Sequence, residues 1–175
     1  MIALGLATAL VAMWFTHSYL ATSYLVPGGS MSPGLARGDR ILVDRFTPHL
    51  GAIRRGDVVV FDASEAFGVD RLFVKRVIGL GGDRVVCCDR RGRLTVNGRP
   101  VDERAYLPKG AAASELRFDI RVPEGRLWVM GDNRSESLDS RARLGAPGGG
   151  TVADHDLIGR VVARIWPLAR VGMVS

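Results

Sequence analysis

Phe73-Val74-Lys75-Arg76-Val77-Ile78 is the stretch from which both fold and chemistry are read. It is an apolar, largely β-branched and aromatic run, the composition of a half-buried or buried strand. Alternation along a strand places Phe73, Lys75 and Val77 on one face. Burial there lowers a lysine's pKa from about 10.4 by up to about 3–5 units, and a neutral amine is a base. The chain carries 24 basic residues, and all except Lys75 and Lys109 are Arg. Arg does not lose its proton inside a protein, whereas a desolvated Lys does, so this position retains a titratable group. The bland alternative is a Lys whose stem packs while its ammonium reaches water.

Outward from this stretch the chain reads as short strands divided by Gly, Pro and Asp: 40–46, 57–62, 72–80, 84–88 and 93–96, then 116–122 with one wet face, 127–130 and 157–166. Asn97-Gly98 marks a hairpin turn and Asp89 to Gly92 an earlier one. The expected fold is mainly β. With 175 residues and 47% hydrophobic composition, one compact domain with a small appendage is expected. The division expected is an anchor over 1–24, a β-rich core over 25–88 and 125–170, and a small variable insertion over the hydrophilic, motif-poor 89–124.

No formally charged side chain precedes Arg37. Met1 to about Leu20 forms an apolar helix of about 30 Å, the thickness of a bilayer's hydrocarbon, and reads as one N-terminal transmembrane α-helix rather than a cleaved leader. Trp14, Tyr19 and Tyr24 suit the lipid–water boundary. Arg37, Arg40, Arg45, Arg54 and Arg55 all follow this segment, so charge alone does not orient it. The net charge of +6 comes from Arg scattered among acidic residues, a pattern that suits an anionic lipid bilayer better than nucleic acid. Cys87 and Cys88 are adjacent in an expected strand and point to opposite faces, so two free thiols are expected. No metal-ligand spacing is present in the sequence.

Two further segments carry chemistry. Val26-Pro27-Gly28-Gly29-Ser30-Met31-Ser32-Pro33 sets a Ser after two Gly residues, where a substrate backbone has room to approach. Gly131-Asp132-Asn133-Arg134-Ser135-Glu136-Ser137-Leu138-Asp139-Ser140-Arg141 is a polar turn offering a hydroxyl and a carboxylate–guanidinium pair. A Ser hydroxyl needs a positioned base at neutral pH, and a desolvated amine supplies one without imidazole. His49 and His155 have no local sign of a triad.

Taken in order, the Ser30-Met31-x-Pro33 segment, Arg55-Gly56-Asp57-Val58-Val59-Val60-Phe61, the run from Phe73 to Asp83, and Gly131 to Arg141 resemble type I signal peptidase. This is the family of membrane-bound Ser/Lys proteases that remove signal peptides from exported preproteins. The resemblance spans Val26 to about Pro167. It implies Ser30 as nucleophile, Lys75 as general base and Ser137 as the hydroxyl that orients the amine. It implies that Asp132, Asn133, Asp139 and Arg141 shape the site, and that Met31, Leu35, Phe73 and Val74 line pockets for small side chains. No metal or organic cofactor is implied. The implied place is the bacterial plasma membrane, with a single-pass anchor and the catalytic domain on the outer side.

The sequence departs from the family at three positions. Gly28 stands where a hydroxyl residue often helps to bind the oxyanion, Gly34 where Thr is usual, and Gly81 where Pro is usual. Two other readings stay open: a self-cleaving Ser/Lys protease of the SOS-repressor type, and a catalytically weak or inactive membrane-anchored β-domain that binds peptides.

Overall fold

The structure, a computed structural model, describes residues 21–46 and 53–174. Within them twelve strands form two antiparallel sheets. β1 (Ala21–Leu25), β2 (Arg40–Asp44), β3 (Val58–Asp62), β4 (Leu72–Gly79), β9 (Arg126–Met130), β10 (Val152–Ala153) and β11 (Leu157–Trp166) build the larger one in the order β1-β2-β11-β3-β4-β9-β10, and β12 (Gly172–Met173) pairs with β11. β5 (Arg84–Cys87), β6 (Thr95–Val96), β7 (Arg99–Pro100) and β8 (Phe118–Arg121) build the smaller one in the order β7-β6-β5-β8. A single turn of helix, α1 (Ser64–Phe67), links β3 to β4. The expectation of a mainly β chain holds.

β3 explains why the larger sheet is stable. Its run Val58-Val59-Val60-Phe61 is buried throughout, as a central strand covered on both faces must be. Val59 and Phe61 join Phe67, Val77, Val129 and Leu157 in one core. Val58 and Val60 join Val26, Met31, Leu35, Ile41 and Val161 in another, on the opposite face. A third core, centred on Trp128 with Val85, Leu94, Phe118 and Met130, fastens the smaller sheet to the end of the larger. Gly79 permits this junction, because a Cβ there would stand 2.5 Å from a methyl of Val85.

Charge ties the motifs together at the same junction. Arg55 bonds Asp83 through both its Nε and its terminal nitrogen, at 2.6 and 2.5 Å. Asn97, at φ 52° in the turn from β6 to β7, donates to the same carboxylate.

Three expectations are corrected by the backbone. The segment assigned to the anchor ran to residue 24, whereas Ala21–Leu25 is a strand, paired in register from Ala21↔Asp44 to Leu25↔Arg40. Thr22 and Tyr24 favour an extended chain, and Tyr24 packs, partly buried, on the core around Val26 and Ile41. The remainder of the expected anchor lies outside the described residues, and among the described residues no helix is long and apolar enough to cross a membrane. Cys87 and Cys88 are joined in a disulfide rather than free. β5 ends at Cys87, so the alternation that would hold the two sulfurs apart does not continue to Cys88. The smaller sheet also takes its first strand from before residue 89.

Candidate active site

Ser30 and Lys75 lie 45 positions apart in the chain and meet in space: Lys75 Nζ donates to Ser30 Oγ at 2.7 Å. β4 carries the lysine opposite Val59 of β3, with Phe73 and Val77 packed on the same core. The serine comes from the turn after β1. That turn is held by Met31 and Leu35, which are sunk in the core, and by the Val26 amide on the Asp39 carbonyl at 2.8 Å.

Lys75 is only 3% exposed. Burial is the main reason that its pKa falls to about 8, and the charges of Arg141 and Arg71 push the same way against the opposing pull of Asp139 and Asp132. The amine also stands 5.0 Å from the centre of the Phe73 ring. Near neutral pH it is therefore poised to give up its proton, which the unperturbed side chain is not.

The segment after β9 clamps the serine turn from the other side. The Asn133 amide donates to the Ser30 carbonyl at 3.0 Å and its Nδ2 to the Gly29 carbonyl at 3.3 Å. Gly131 makes room: a Cβ there would lie 2.5 Å from the Ser30 carbonyl oxygen and would collide with Ser137. Asp139 accepts from the Gly131 amide at 3.0 Å and is forked by Arg141 at 2.9 and 2.8 Å. Arg141 passes on to the Arg134 carbonyl at 2.8 Å, so Asp139 and Arg141 brace the clamp without touching the serine. Asp132 is gripped by Arg76 through two bonds of 2.8 Å.

Ser137 departs from what the resemblance implied. Among the described residues its Oγ is buried without a hydrogen-bond partner, packed against Gly131, and makes no bond to Lys75. Leu35 also departs. It belongs to the core with Met31, Ile41 and Val43 and does not line the cleft beside Ser30. That cleft, of about 240 Å³, is lined by Met31, Phe73 and Val74, and also by Val26, Gly28, Arg71, Glu136 and Leu138.

Sequence reasoning missed the charge network behind the clamp. Arg134 bonds Glu103 at 2.5 Å with both side chains buried, Tyr106 donates to Glu103 at 3.0 Å, and the Arg76 guanidinium lies 4.2 Å from the centre of the Tyr106 ring. Burial beside the Glu103 carboxylate pushes the Tyr106 hydroxyl well above its usual pKa, so it remains a donor. Glu103 and Tyr106 sit in the hydrophilic stretch without motifs. The one local signal was Arg76, a fixed charge inside an apolar strand that demanded a carboxylate.

Chemically the site offers a hydroxyl, a buried amine of lowered proton affinity, and an open backbone. The Ser30 amide donates to no partner among the described residues. At Gly28 a Cβ would meet nothing within 4 Å among the described residues. These are the parts of an acyl-transfer site.

The comparisons with known proteins agree. The family model described as "Signal peptidase, peptidase S26" matches residues 1–166. Signal peptidase I of Mycobacterium tuberculosis (strain CDC 1551 / Oshkosh) is 33% identical over 95% of this chain and 72% of its own length. Signal peptidase I of Bacillus licheniformis is 39% identical over 78% of this chain and 75% of its own length. A crystal structure of a signal peptidase I from Enterococcus faecalis V583 aligns with 62% of this chain and 95% of that chain, at 26% identity and a TM-score of 0.47. The resemblance carried by the four ordered motifs is thereby borne out, and the chain belongs to the signal peptidase family, serine endopeptidases that remove signal peptides.

Proposed function

We propose that this protein is a membrane-anchored signal peptidase in which Ser30 is the nucleophile and Lys75 the general base. The observation that carries the reading is the 2.7 Å contact between Ser30 Oγ and a lysine that is 3% exposed. In its neutral form the amine turns its lone pair to the hydroxyl and accepts the proton as Oγ attacks the scissile carbonyl. The Ser30 amide donates to the developing oxyanion. The ammonium then protonates the leaving amine, an acyl-enzyme forms on Ser30, and the regenerated amine takes a proton from the water that releases it.

The substrate's path follows from the sheet. Among the described residues β4 pairs with β3 from Leu72 to Arg76, but its other edge meets β9 only from Arg76 onward. Leu72 to Val74 thus leave backbone groups on the cleft side for an extended peptide, which adds as a strand. The apolar lining from Val26, Met31, Phe73, Val74 and Leu138 suits small uncharged side chains beside the scissile bond.

The anchoring helix, the outward orientation and the division into anchor, catalytic core and inserted sheet are part of the same proposal. Its structural support is an apolar edge. Leu25 and Trp166 flank Arg40 in neighbouring strands, and Leu168, Val171 and Met173 are exposed nearby in sequence and register. An exposed apolar edge with an arginine in it fits an anionic lipid surface. Val26, which lines the cleft, follows Leu25 directly, so the edge leads into the site.

Cleavage of a model preprotein by the full chain in detergent tests the dyad. Ser30→Ala and Lys75→Ala should each reduce turnover by at least about 10³-fold, given the usual contribution of a nucleophile and its base. Undiminished turnover by either variant rejects the assignment. A serine-directed acylating inhibitor should label wild-type Ser30, and failure to label would favour a domain that binds peptides without cutting them.

A further inference from the structure

We propose that Arg71 is a specificity residue, whose guanidinium at the rim of the cleft receives a carboxylate side chain of the peptide being cut. This rests on reading the Ser30–Lys75 cleft as the active site. Several other arginines of the chain are occupied: Arg76, Arg134 and Arg141 each hold a buried carboxylate, and Arg55, Arg164 and Arg170 each face an aspartate. Arg71 has no acidic partner and no side-chain acceptor among the described residues, and it is exposed.

Its position is nevertheless fixed. The Arg71 amide donates to the Val69 carbonyl at 2.8 Å, and the Arg71 carbonyl accepts from the Ala63 amide at 3.1 Å. The guanidinium carbon lies 5.4 Å from the centre of the Phe73 ring. An aromatic face under a guanidinium desolvates one side of it and restrains the planar fork, while the edge donors remain for a carboxylate.

Among the described residues three charged ones line the cleft, Arg71, Lys75 and Glu136. Lys75 serves as a neutral base in this reading, and Glu136 accepts from Asn133 Nδ2 at 3.0 Å, which leaves Arg71 as the fixed cation. Arg71 precedes Lys75 by four residues, about 13 Å along an extended strand. A peptide lying on the free edge of β4 therefore presents to Arg71 a residue about three to five positions from the scissile bond.

The same guanidinium acts on the base. Arg71 and Lys75 share the Phe73 ring, at 5.4 and 5.0 Å from its centre. Burial lowers the lysine's proton affinity first. Asp139 and Asp132 raise it, Arg141 and Arg71 lower it, and Glu136 also faces the cleft. Removing the Arg71 charge should move the acid limb of kcat/KM to higher pH, which a purely structural role would not do.

The test uses the full chain in neutral detergent and pairs of model preproteins that differ by Asp or Lys at one position, three to five residues to either side of the cleavage site. At one position wild type should favour Asp by about fivefold, the scale of an exposed ion pair exchanged for a like-charge contact. Arg71→Gln should bring the ratio near one, and Arg71→Glu should invert it. Equal ratios in all three enzymes overturn the proposal. A preference that follows the anionic lipid content of added vesicles and not the residue at position 71 also overturns it. Should Arg71→Glu fail to fold, Arg71→Gln decides. Failure of the dyad reading is distinguishable, since it shows as cleavage by Lys75→Ala whatever the charge preference.

Discussion

Lys75 and Arg76 are neighbours in one strand, both cationic by residue type and both 3% exposed, yet they are treated in opposite ways. Arg76 is given everything a guanidinium asks for: two bonds to Asp132, a third to the Gly56 carbonyl at 2.7 Å, and the face of Tyr106. Lys75 is given a hydroxyl and an aromatic ring. The two carboxylates that act on the amine, Asp139 and Asp132, are already engaged by Arg141 and Arg76. Burial with a full complement of partners keeps a charge in place, and burial without one expels it. The wall that braces the site and the base that works in it are thus separated by a single peptide bond, because alternation sends consecutive side chains to different environments.

The strongest challenge to this contrast is to remove the satisfied cation. Arg76→Met leaves Asp132 buried and unpaired, which should lower stability by about 3–5 kcal/mol in chemical or thermal unfolding. Adding Asp132→Leu should recover most of that loss, since exchanging both partners for apolar groups is far milder than orphaning one. A single variant as stable as wild type would mean that the buried pair does not hold the clamp.

The opposite sign is expected next door. Lys75 has a pKa of about 8 in the folded chain and an ordinary value when unfolded, so below pH 8 the native state carries a penalty on the order of 3 kcal/mol. Between pH 8 and the unfolded value the unfolded chain binds more protons, and stability should rise with pH across that window. Lys75→Met should abolish cleavage, raise stability at pH 7 by about 1–3 kcal/mol after loss of the bond to Ser30, and flatten that rise. A destabilised Lys75→Met would place the lysine among the structural cations.

Catalysis should report the same proton. As pH falls through about 8, kcat/KM of wild type should drop about tenfold per unit, because only the neutral amine accepts from Ser30. A profile that stays level down to pH 5 would contradict a neutral Lys75 as base.

Much of this was legible in the sequence where the pattern was local. The strand at Leu157–Trp166 and the Asn97-Gly98 turn follow from alternation and turn chemistry, and the residues that meet at Ser30 follow from motifs in order. What was missed depends on distance or on neighbours. Glu103 and Arg134 are 31 residues apart and neither sits in a pattern that names the other. Ala21–Leu25 continues an apolar stretch, and only its pairing with Arg40–Asp44 makes it a strand. Leu35 shares a motif with Met31 but does not line the cleft, and Ser137, the hydroxyl that the resemblance implied would orient the amine, is packed on Gly131. Cys87 and Cys88 pair because β5 stops one residue earlier than its composition proposed.

The sparing of polar partners in the cleft extends to the oxyanion, and this yields the smallest effect. Gly28 has ordinary negative φ and open space where a Cβ would stand, so a serine fits there without displacing a neighbour. The Ser30 amide is then joined by a second donor. Loss of one such donor in other hydrolases costs about 10²–10³ in rate, but those sites are built around it. A hydroxyl added to an exposed turn, free to rotate, should recover a smaller part, and Gly28→Ser should raise kcat about three- to tenfold with KM little changed, because the bond forms only as charge develops on the carbonyl oxygen. An unchanged kcat would mean that the backbone amide and solvent already meet the oxyanion's needs, and that the poverty of the cleft is confined to the surroundings of the lysine.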